Sequence, residues 1–268
     1  MGHHEHGRAT AVRKKDIVAG LAALGIRAGD GLFAHTSLSA FGWVDGGAES
    51  VGDAMLEAVG PEGTVAVPTF TWEMYHDKEE VEFDVRRDPT EDGLIPETFR
   101  KRPDALRSEH VCHSVAAAGK RAGDMMGDGI HPFAEGSSLY QAYALDFWYV
   151  FMGCDFNVCS ALHIVEELLG VPYRYYRHFR GSTIIRADGS FAHSKAVEFL
   201  RYLPYVSDFE KMEAVCDHAG LLRRVRVGNS CVMAAKTRSI VDLGLELVVN
   251  DPGYLLREAS RRHLAAGR

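Results

Sequence analysis

Residues 147–170 read FWYVFM followed by GCDFNVCSALHIVEELLG, and this stretch predicts a buried strand that passes into an amphipathic helix. The first six residues are apolar or aromatic, which is typical of a strand covered on both faces. Asp155 or Asn157 can cap the helix, apolar side chains then recur at helical spacing, and Gly170 is a common stop signal. The stretch therefore indicates an α/β protein in which this strand is central.

His163 and Glu166 lie three positions apart in the predicted helix, so they share one face close to its start. A histidine beside a carboxylate, where a strand ends and a helix begins, is a candidate general base. On spacing alone, a surface His–Glu pair is the ordinary alternative. Cys159, four positions before His163, could instead act as a nucleophile through a thiol–imidazole pair. A small buried cysteine is the simpler interpretation of Cys159.

A βαβ unit is predicted near the N-terminus. A helix over residues 14–24 is followed by a strand at 30–35, a helix at about 48–59 and a strand at 64–67. The connection at residues 36–47 consists largely of glycines and small hydroxyl residues. Such a loop offers N–H groups and hydroxyls to an anion such as a pyrophosphate, although it can also be a simple connection. It matches neither a Walker A loop nor a G-x-G-x-x-G motif.

An acidic loop and two hairpins are predicted outside these units. Residues 72–92 are rich in acids and aromatics without a clear period, which indicates an exposed loop facing either a polycation or only solvent. Turn signals between short apolar runs predict hairpins over residues 183–191 and 225–233.

Two helix starts are predicted in the C-terminal third. Ser207 and Glu210 have the spacing of a capping box, and the helix that they open would end at Gly220. Asp251 followed by Pro252 predicts the start of a final amphipathic helix.

The composition is that of a soluble globular protein. The chain has 268 residues, and its formal net charge of −7 argues against nucleic-acid binding while permitting a cationic substrate. Five cysteines without a C-x-x-C pair indicate reduced thiols in a cytoplasm. No apolar run approaches the roughly 20 residues of a membrane span, and no secretory signal is evident. Residues 1–10 are expected to form a disordered N-terminus, and residues 11–268 one domain.

Arg107 and Ser108 precede a strand of small residues. They are suited to phosphate or pantetheine contacts, because arginine binds phosphate oxygens through two donors. His110 and His113 follow, but no Asp or Cys stands nearby at ligand spacing, so packed or hydrogen-bonded histidines are favoured over a metal site.

Basic residues alternate with tyrosines over residues 173–180. One short patch in an acidic chain is weak support for RNA binding. An anion-binding or cofactor-binding edge, or a solvated strand face, is the favoured interpretation.

Five separated motifs together resemble the coenzyme A-dependent aminoglycoside 3-N-acetyltransferases. They occur in the family's order and cover nearly the whole chain, from about residue 14 to the last helix. The motifs are His35-Thr36-Ser37-Leu38-Ser39 with Gly42-Trp43-Val44 and Gly46-Gly47; Gly63-Thr64 with Pro68-Thr69-Phe70; Gly93-Leu94-Ile95-Pro96-Glu97 with Arg107-Ser108-Glu109-His110 and Ser114-Val115-Ala116; Gly136 with Ser138; and Asn157 with Leu162-His163 and Glu166.

This resemblance implies a single α/β domain whose central mixed or antiparallel sheet is flanked by helices, unlike the common N-acetyltransferase fold. It also implies that His163 is the catalytic histidine and Glu166 its carboxylate partner. The positions that match the family's coenzyme A contacts are Thr36, Ser37, Leu38, Ser39, Arg107, Ser108, Ser114 and Val115. Acidic or polar side chains that could contact a polycationic acceptor are Glu73, Asp155, Asn157 and Asp208.

The implied reaction is direct transfer of an acetyl group from acetyl-coenzyme A to an aminoglycoside amine, without a metal. The protein is expected to be a monomer or a homodimer. Glu166 would fix the tautomer of His163 and raise its basicity. The other ring nitrogen would take a proton from the attacking amine. N–H groups at the helix start or a nearby hydroxyl would stabilise the oxyanion.

Departures from the family leave the acceptor open. Val111 and Leu139 stand where proline is usual, Val158 where threonine is common, and His193 near a common tryptophan. Because these changes touch the acyl and acceptor pockets, a coenzyme A-dependent acyltransferase acting on another amine is a close alternative.

Two other classes of protein are weaker alternatives. A metal-dependent hydrolase would use His110, His113, His131 and His163, which show no recognised ligand spacing. A non-catalytic ligand-binding protein would have no need of the His163–Glu166 pair.

Overall fold

The computed structural model describes residues 11–266, so the prediction for residues 1–10 lies outside the described residues. In chain order, the strands in this range are β1 (Gly31–Thr36), β2 (Thr64–Pro68), β3 (Glu82–Asp84), β4 (Leu106–Arg107), β5 (Val115–Gly119), β6 (Trp148–Met152), β7 (Arg174–His178), β8 (Thr183–Ile185), β9 (Phe191–His193), β10 (Val197–Arg201), β11 (Arg223–Val227) and β12 (Ser230–Lys236). The α-helices are α1 (Lys14–Ala23), α2 (Gly47–Val59), α3 (Trp72–Tyr75), α4 (Leu94–Phe99), α5 (Ser138–Ala144), α6 (Ala161–Leu168), α7 (Lys211–His218), α8 (Thr237–Asn250) and α9 (Glu258–Ala266). Short 3₁₀ helices cover Leu38–Phe41, Gly123–Met126 and Phe156–Val158.

The largest sheet is mixed and has the strand order β11-β12-β6-β1-β2-β5-β4. Its central strands β6, β1 and β2 are parallel, and the outer strands pair antiparallel with their neighbours. The parallel β1 and β2, joined through α2, form the predicted βαβ unit. The predicted fold class, an α/β fold with a central mixed sheet flanked by helices, is confirmed.

Helices cover both faces of this sheet: α1, α2 and α4 pack together on one face, and α5, α6 and α8 on the other. Alternate residues of β6 face opposite sides of the sheet. One core cluster contains Trp148, Val150 and Met152, and the other contains Tyr149 and Phe151. All five are buried, as predicted for a strand covered on both faces. Within the described range, no helix is long and apolar enough to cross a membrane.

A smaller three-stranded sheet, in the order β3-β8-β9, corrects the prediction for residues 72–92. This stretch contains α3 and β3, and Val81, Phe83 and Val85 are buried at alternate positions against Ile184. The exposed-loop prediction is therefore wrong for this part, because only the intervening side chains face solvent. The hairpins β8–β9 and β11–β12 are confirmed.

The C-terminal helices differ from their predicted starts. Helix α7 begins at Lys211 without a side-chain cap, because the Ser207 hydroxyl instead accepts a hydrogen bond from Arg201. Asp251 follows the end of α8, a 14-residue helix that was not predicted. The last helix, α9, begins at Glu258. The two capping predictions are thus wrong.

Candidate active site

A cleft of about 720 Å³ opens where the three parallel strands end. Because β1, β2 and β6 run in the same direction, their carboxyl ends meet at one edge of the sheet. His35 and Thr36 of β1, Pro68 of β2 and Cys154 after β6 line the cleft. Ligands of open α/β sheets commonly bind outside the carboxyl ends of the strands. The topology of the sheet therefore positions this cleft.

The connection from β6 to α6 brings His163 to the cleft. It begins at Gly153, whose φ of +78° is in the left-handed region. Asp155 then accepts the Asn157 N–H at 2.9 Å and caps a 3₁₀ turn, so α6 itself begins only at Ala161. The predicted cap is real but belongs to the 3₁₀ turn. His163 consequently lies in the first turn of α6.

His163 and Glu166 form a pair in which the carboxylate is buried and the imidazole is 23% exposed, unlike the surface pair of the alternative interpretation. His163 Nδ1 lies 2.6 Å from Oε2 of the fully buried Glu166, whose Oε1 accepts the Tyr173 hydroxyl at 2.9 Å. The imidazole packs between Phe133 and Phe209, with ring centroids 4.7 and 4.8 Å away. Among the described residues, Nε2 of His163 has no hydrogen-bond partner. The ring is thus held by one nitrogen and open at the other.

Arg174 also belongs to this group. Its Nε lies 2.8 Å from Glu166 Oε2, and its Nη2 lies 3.1 Å from His163 Nδ1. On the same strand, Arg177 forms an ion pair with the buried Glu198. Both guanidinium groups neutralise carboxylates of the protein. Interpreting this basic stretch as an anion-binding edge or a solvated face is therefore wrong for these two arginines.

The protonation of the pair follows from burial and charge. Burial lowers the pKa of His163 below its ordinary value, and the positive charge of Arg174 lowers it further against the opposing effect of Glu166. Burial acts to raise the pKa of Glu166, but Arg174 and His163 outweigh it and the pKa is lowered. His163 is thus neutral and Glu166 ionised near neutral pH. The expected rise in the basicity of His163 is therefore reversed by its surroundings.

The hydroxyl groups of Tyr149 and Ser160 lie at the start of α6; a nearby hydroxyl was predicted, but these residues were not named. The Tyr149 hydroxyl lies 2.8 Å from His35 Nε2 and accepts the Ala161 N–H at 3.2 Å. The next two N–H groups of α6 donate to carbonyl oxygens of the preceding turn. The Ser160 hydroxyl makes long contacts, 3.5 Å to His35 Nε2 and 3.4 Å to a backbone oxygen, and also interacts with the Tyr149 hydroxyl. Ser160 therefore keeps a weakly held donor in the same cavities that His163 lines.

His163 and Ser160 stand between two chambers. Both line the main cleft, and both also line a second chamber of about 420 Å³. The second chamber has an aromatic wall that includes Phe133 and Phe199. The two cavities also share Phe70 and Trp72, so they adjoin one another beside the imidazole.

Thr36 fits a ligand rich in polar groups, whereas Ser37, Leu38 and Ser39, also predicted as coenzyme A contacts, do not line the cleft. Thr36 Oγ1 is a buried oxygen without a hydrogen-bond partner, and Thr36 lines the cleft. The hydroxyls of Ser37 and Ser39 lie 3.3 Å apart, and Leu38 begins a 3₁₀ helix. Because an unpartnered buried hydroxyl is costly, Thr36 is suited to a ligand that supplies the missing bond. The amides of a pantetheine arm are groups of this kind.

The other four predicted coenzyme A contacts are placed differently. Arg107 is buried, its Nε lies 3.0 Å from Ser114 Oγ, and its terminal nitrogens donate to backbone oxygens at 2.6 and 2.8 Å. The Ser108 hydroxyl accepts the Val115 N–H at 2.9 Å. None of the four lines the cleft. Their side chains tie β4 and β5 to neighbouring loops, so the geometry does not support them as ligand contacts.

Of the four predicted substrate-binding residues, two line the cleft and two do not. Glu73 and Asn157 line the cleft. The Asp155 carboxylate is used as a cap. Asp208 lies in a separate surface depression, 3.7 Å from the ammonium of Lys211. The structure therefore does not bring Asp155 or Asp208 to the same cavity as His163.

Two carboxylates of the cleft, Glu91 and Asp92, were not predicted as site residues. Glu91 accepts the backbone N–H groups of Glu73 and Met74 at 2.8 Å each. Burial raises the pKa of Asp92 to about 6, against the opposing hydrogen bond from the Phe70 N–H. Both lie in the acidic stretch, whose lack of periodicity gave no signal separating cleft residues from surface ones.

The geometry removes the support for two alternatives. Cys159 is fully buried, and burial raises the pKa of its thiol, so it is a poor nucleophile near neutral pH. Both ring nitrogens of His110 are hydrogen-bonded to backbone groups, and His131 Nδ1 is bonded to Glu167. Within residues 11–266, no group of three or more His, Cys, Asp or Glu side chains is placed to hold a metal ion. The proposed hydrolase thus has no ligand set there.

Comparison with known proteins gives a consistent picture. A family model described as aminoglycoside 3-N-acetyltransferase matches residues 33–248. The YokD protein of Bacillus subtilis strain 168, an SPbeta prophage-derived aminoglycoside N(3')-acetyltransferase-like protein, is 30% identical over 69% of this chain and 75% of its own. The apoenzyme structure of aminoglycoside acetyltransferase AAC(3)-IVa is 25% identical, with a TM-score of 0.78 over 94% of both chains. AAC-IIIb, solved as a binary complex with CoASH, has the same fold, with a TM-score of 0.79 at 21% identity over 90% of this chain and 97% of that one.

Proposed function

The chain belongs to the aminoglycoside 3-N-acetyltransferase family, and from this premise we propose that it transfers an acetyl group from acetyl-coenzyme A to the 3-amino group of an aminoglycoside. The observation that carries the proposal is the geometry of His163. Its Nδ1 is bound to the buried, ionised Glu166, and its Nε2 has no partner among the described residues. The neutral ring lies where two chambers meet.

Thr36 holds the co-substrate in this proposal, and the hydroxyls of Ser37 and Ser39 follow it just outside the cleft lining. Acetyl-coenzyme A would supply the acetyl group as an activated thioester. The unpartnered Thr36 Oγ1 supports this placement, because a pantetheine amide would satisfy it. A protein of the same fold, AAC-IIIb, has been solved with CoASH.

His163 acts as the general base. A carboxylate accepts only, so the hydrogen bond to Glu166 places the proton of the neutral imidazole on Nδ1. Nε2 then carries the free lone pair and takes a proton from the acceptor amine as its nitrogen attacks the acetyl carbonyl. The proton later neutralises the departing thiolate. Because transfer is direct, no acyl-enzyme is needed, in agreement with the burial of Cys159.

Ser160 is the donor proposed for the developing oxyanion. The first N–H groups of α6 already have partners within the protein, whereas the hydrogen bonds of the Ser160 hydroxyl to His35 and a backbone oxygen are long, 3.5 and 3.4 Å. A hydroxyl that can turn towards new negative charge stabilises it without breaking a strong bond.

Carboxylates on the cleft wall support a polycationic acceptor. Glu73, Glu91 and Asp92 line the same cleft as His163, together with the amide of Asn157. They replace Asp155 and Asp208 as the proposed contacts. An acceptor with several ammonium groups would place one amine at His163 and the others against these oxygens.

The test is release of coenzyme A thiol when the protein is mixed with acetyl-coenzyme A and a panel of aminoglycosides. We expect release with at least one of them and acetylation of its 3-amino group, as located by NMR of the product. His163→Gln should lower kcat by about 10²–10⁴-fold, the usual contribution of a general base. His218→Gln, a change of an exposed histidine on α7, is the matched control.

The outcomes are distinct. Thiol release with other amines but with no aminoglycoside would support the acetyl-transfer reaction and show that the proposed acceptor is wrong. If a folded His163→Gln variant releases thiol at the wild-type rate, His163 is not the general base. Expression in a susceptible bacterium should also raise its tolerance to the aminoglycosides that are acetylated.

A further inference from the structure

Arg174 occupies a place in the active site that general-base catalysis alone does not require. Its side chain is 6% exposed, and its Nε lies 2.8 Å from Glu166 Oε2. Nη1 donates to the carbonyl oxygen of Phe199 at 2.8 Å, and the guanidinium lies over the Phe199 ring at 5.3 Å. The third nitrogen, Nη2, lies 3.1 Å from His163 Nδ1. One guanidinium therefore contacts both members of the pair and is itself fixed to β10.

The contact with Nδ1 has an electrostatic consequence. Nδ1 is 2.6 Å from a carboxylate oxygen and 3.1 Å from a guanidinium nitrogen. It can donate to the first or accept from the second, but not both. The shorter contact is with the ionised Glu166, so Nδ1 keeps its proton. Nδ1 therefore offers no lone pair to the guanidinium of Arg174. A second proton on the ring would bring an imidazolium charge beside this cation.

We propose that Arg174 is a positioning residue, which keeps Glu166 ionised and in place as the acceptor of Nδ1–H of His163 and opposes a second proton on the ring, so that the imidazole stays neutral with Nε2 free. The assignment rests on the proposed function, because it explains how the base is kept ready between turnovers. The lowered pKa of His163, to which Arg174 contributes after burial, agrees with it. Arg174 contacts none of the reacting atoms in this role.

Other groups around His163 do not replace Arg174. The Tyr173 hydroxyl donates to the second oxygen of Glu166. Arg201 of β10 lowers the pKa of His163 more weakly and donates to Tyr205 and Ser207. His113 has its own pKa lowered by burial and is neutral. The rings packed against His163, Phe133 and Phe209, carry no charge.

The experiment compares Arg174→Met with Arg177→Met. Arg177 is the matched control, because it pairs with a buried carboxylate from the same strand but is not among the contacts of His163. The pKa of His163 is measured by NMR titration of histidine-labelled protein, its signal being identified by its loss in His163→Gln. In Arg174→Met we expect this pKa to rise by about one unit or more. The acid limb of kcat/KM should move to higher pH with it, and Arg177→Met should change neither.

Arg174→Lys keeps the experiment decisive if the methionine variant does not fold. An ammonium group can neutralise Glu166 but cannot also reach Nδ1 with a second fixed nitrogen. We expect an intermediate His163 pKa and an intermediate kcat. A folded Met or Lys variant with the wild-type His163 pKa and pH profile would overturn the assignment.

Failure of the proposed function is a separate result. The wild-type protein could release no thiol with any amine. The titration of His163 would still show whether Arg174 controls the ionisation of the imidazole. If turnover is found but the titration is unchanged, only the assignment of Arg174 falls.

Discussion

Two adjacent glutamates of α6 show how completely a side chain's role depends on its partners. Glu166 faces His163 and Arg174, which lower its pKa, whereas burial raises the pKa of Glu167. Glu167 accepts instead from the Phe133 N–H at 2.8 Å and lies 3.0 Å from His131 Nδ1. Neighbours in sequence therefore have different partners: Glu166 contacts His163, and Glu167 holds the loop that carries Phe133.

Glu166→Gln and Glu167→Gln should differ in both activity and acid stability. Removing the Glu166 charge leaves Arg174 buried without its partner, which should cost about 3–5 kcal/mol of unfolding free energy. Because the folded-state pKa of Glu166 is below its unfolded value, its contribution is present above the ordinary carboxyl pKa and lost as pH falls through the folded pKa. Urea unfolding from neutral to acid pH should thus show a flatter acid decline for Glu166→Gln.

Turnover separates the two glutamates further. Glu166→Gln should lower kcat strongly, since His163 loses the acceptor that fixes its tautomer. Glu167→Gln should leave kcat near the wild-type value. Equal losses in the two variants would mean that helix stability, not the orientation of His163, controls the rate.

Arg107 allows a structural role to be separated from ligand binding. All of its described hydrogen bonds are to groups of the protein, including carbonyl oxygens at 2.6 and 2.8 Å. Arg107→Met should therefore lower the unfolding free energy by about 1.5–3 kcal/mol for each charged hydrogen bond that is not replaced. The affinity of the folded protein for coenzyme A, measured by calorimetry, should not change. A large loss of affinity without a loss of stability would restore the ligand contact implied by the family resemblance.

The turn between β6 and α6 sets where His163 stands. Gly153 has φ of +78°, and a Cβ at this position would clash with the Cβ of Ala40 in the 3₁₀ helix that follows β1. The two connections after β1 and β6 are therefore packed against one another at the cleft. A shift in either would move the imidazole relative to Thr36.

Gly153→Ala should destabilise the protein and slow the reaction together. The left-handed backbone alone should cost about 1–2 kcal/mol in an L-residue. Gly170→Ala is the control, because Gly170 also has a positive φ, +56°, but a Cβ added there would meet no atom within 4 Å. The difference between the two unfolding free energies measures the contact with Ala40. We expect kcat to fall only in Gly153→Ala, and an equal fall in both variants would contradict this coupling.

Regular patterns in the sequence were sufficient for some elements. The parallel β1–α2–β2 unit and the buried β6 follow from apolar runs bounded by glycines and hydroxyl residues. The unpredicted α8 was also visible in principle, since Ile240, Gly244 and Val248 are buried at every fourth position. Asp251 was a misleading signal, because aspartate caps helices at one end and also occurs in the turns that end them.

The site itself could be predicted only in part. The spacing of His163 and Glu166 determines their contact, because i and i+3 side chains meet on any helix. Arg174 reaches the pair from another strand, and no local pattern encodes that approach. Arg107 illustrates the converse: its chemistry suits phosphate, but the tertiary fold surrounds it with protein acceptors. Thr36 was identified through the family resemblance, and its unpartnered oxygen became visible only in the structure.

Among the described residues, the lining of the main cleft includes carboxylates and no lysine or arginine, whereas Arg201 lines the second chamber without an ion pair. Arg174 and Arg177 are paired with buried glutamates, whereas Glu73, Glu91 and Asp92 line the cleft. Together with the net charge of −7, this distribution favours the approach of a cationic substrate and disfavours an anionic one. It also implies that a nucleotide-bearing co-substrate depends on uncharged donors, which makes Thr36 the point to test.

Ligand-linked stability tests that dependence for the molecule as a whole. A ligand that binds only the folded state at about 100 times its Kd raises the unfolding free energy by about 2.7 kcal/mol. Coenzyme A should therefore raise the Tm of the wild-type protein. Thr36→Val removes the unpartnered hydroxyl with little change of shape, so the ligand-free Tm should be unchanged or slightly higher, while the increase caused by coenzyme A should shrink.

Ser230→Ala supplies the comparison that makes this result specific. Ser230 Oγ is also buried without a partner, but Ser230 does not line the cleft. Its removal should leave both the ligand-free Tm and the increase caused by coenzyme A near their wild-type values. If Thr36→Val behaves in the same way, the hydroxyl at the end of β1 does not bind the co-substrate. A selective loss in Thr36→Val would instead link the hydroxyl at the end of β1 to coenzyme A binding, because Ser230 lies near Gly153 at the same edge of the sheet but does not line the cleft.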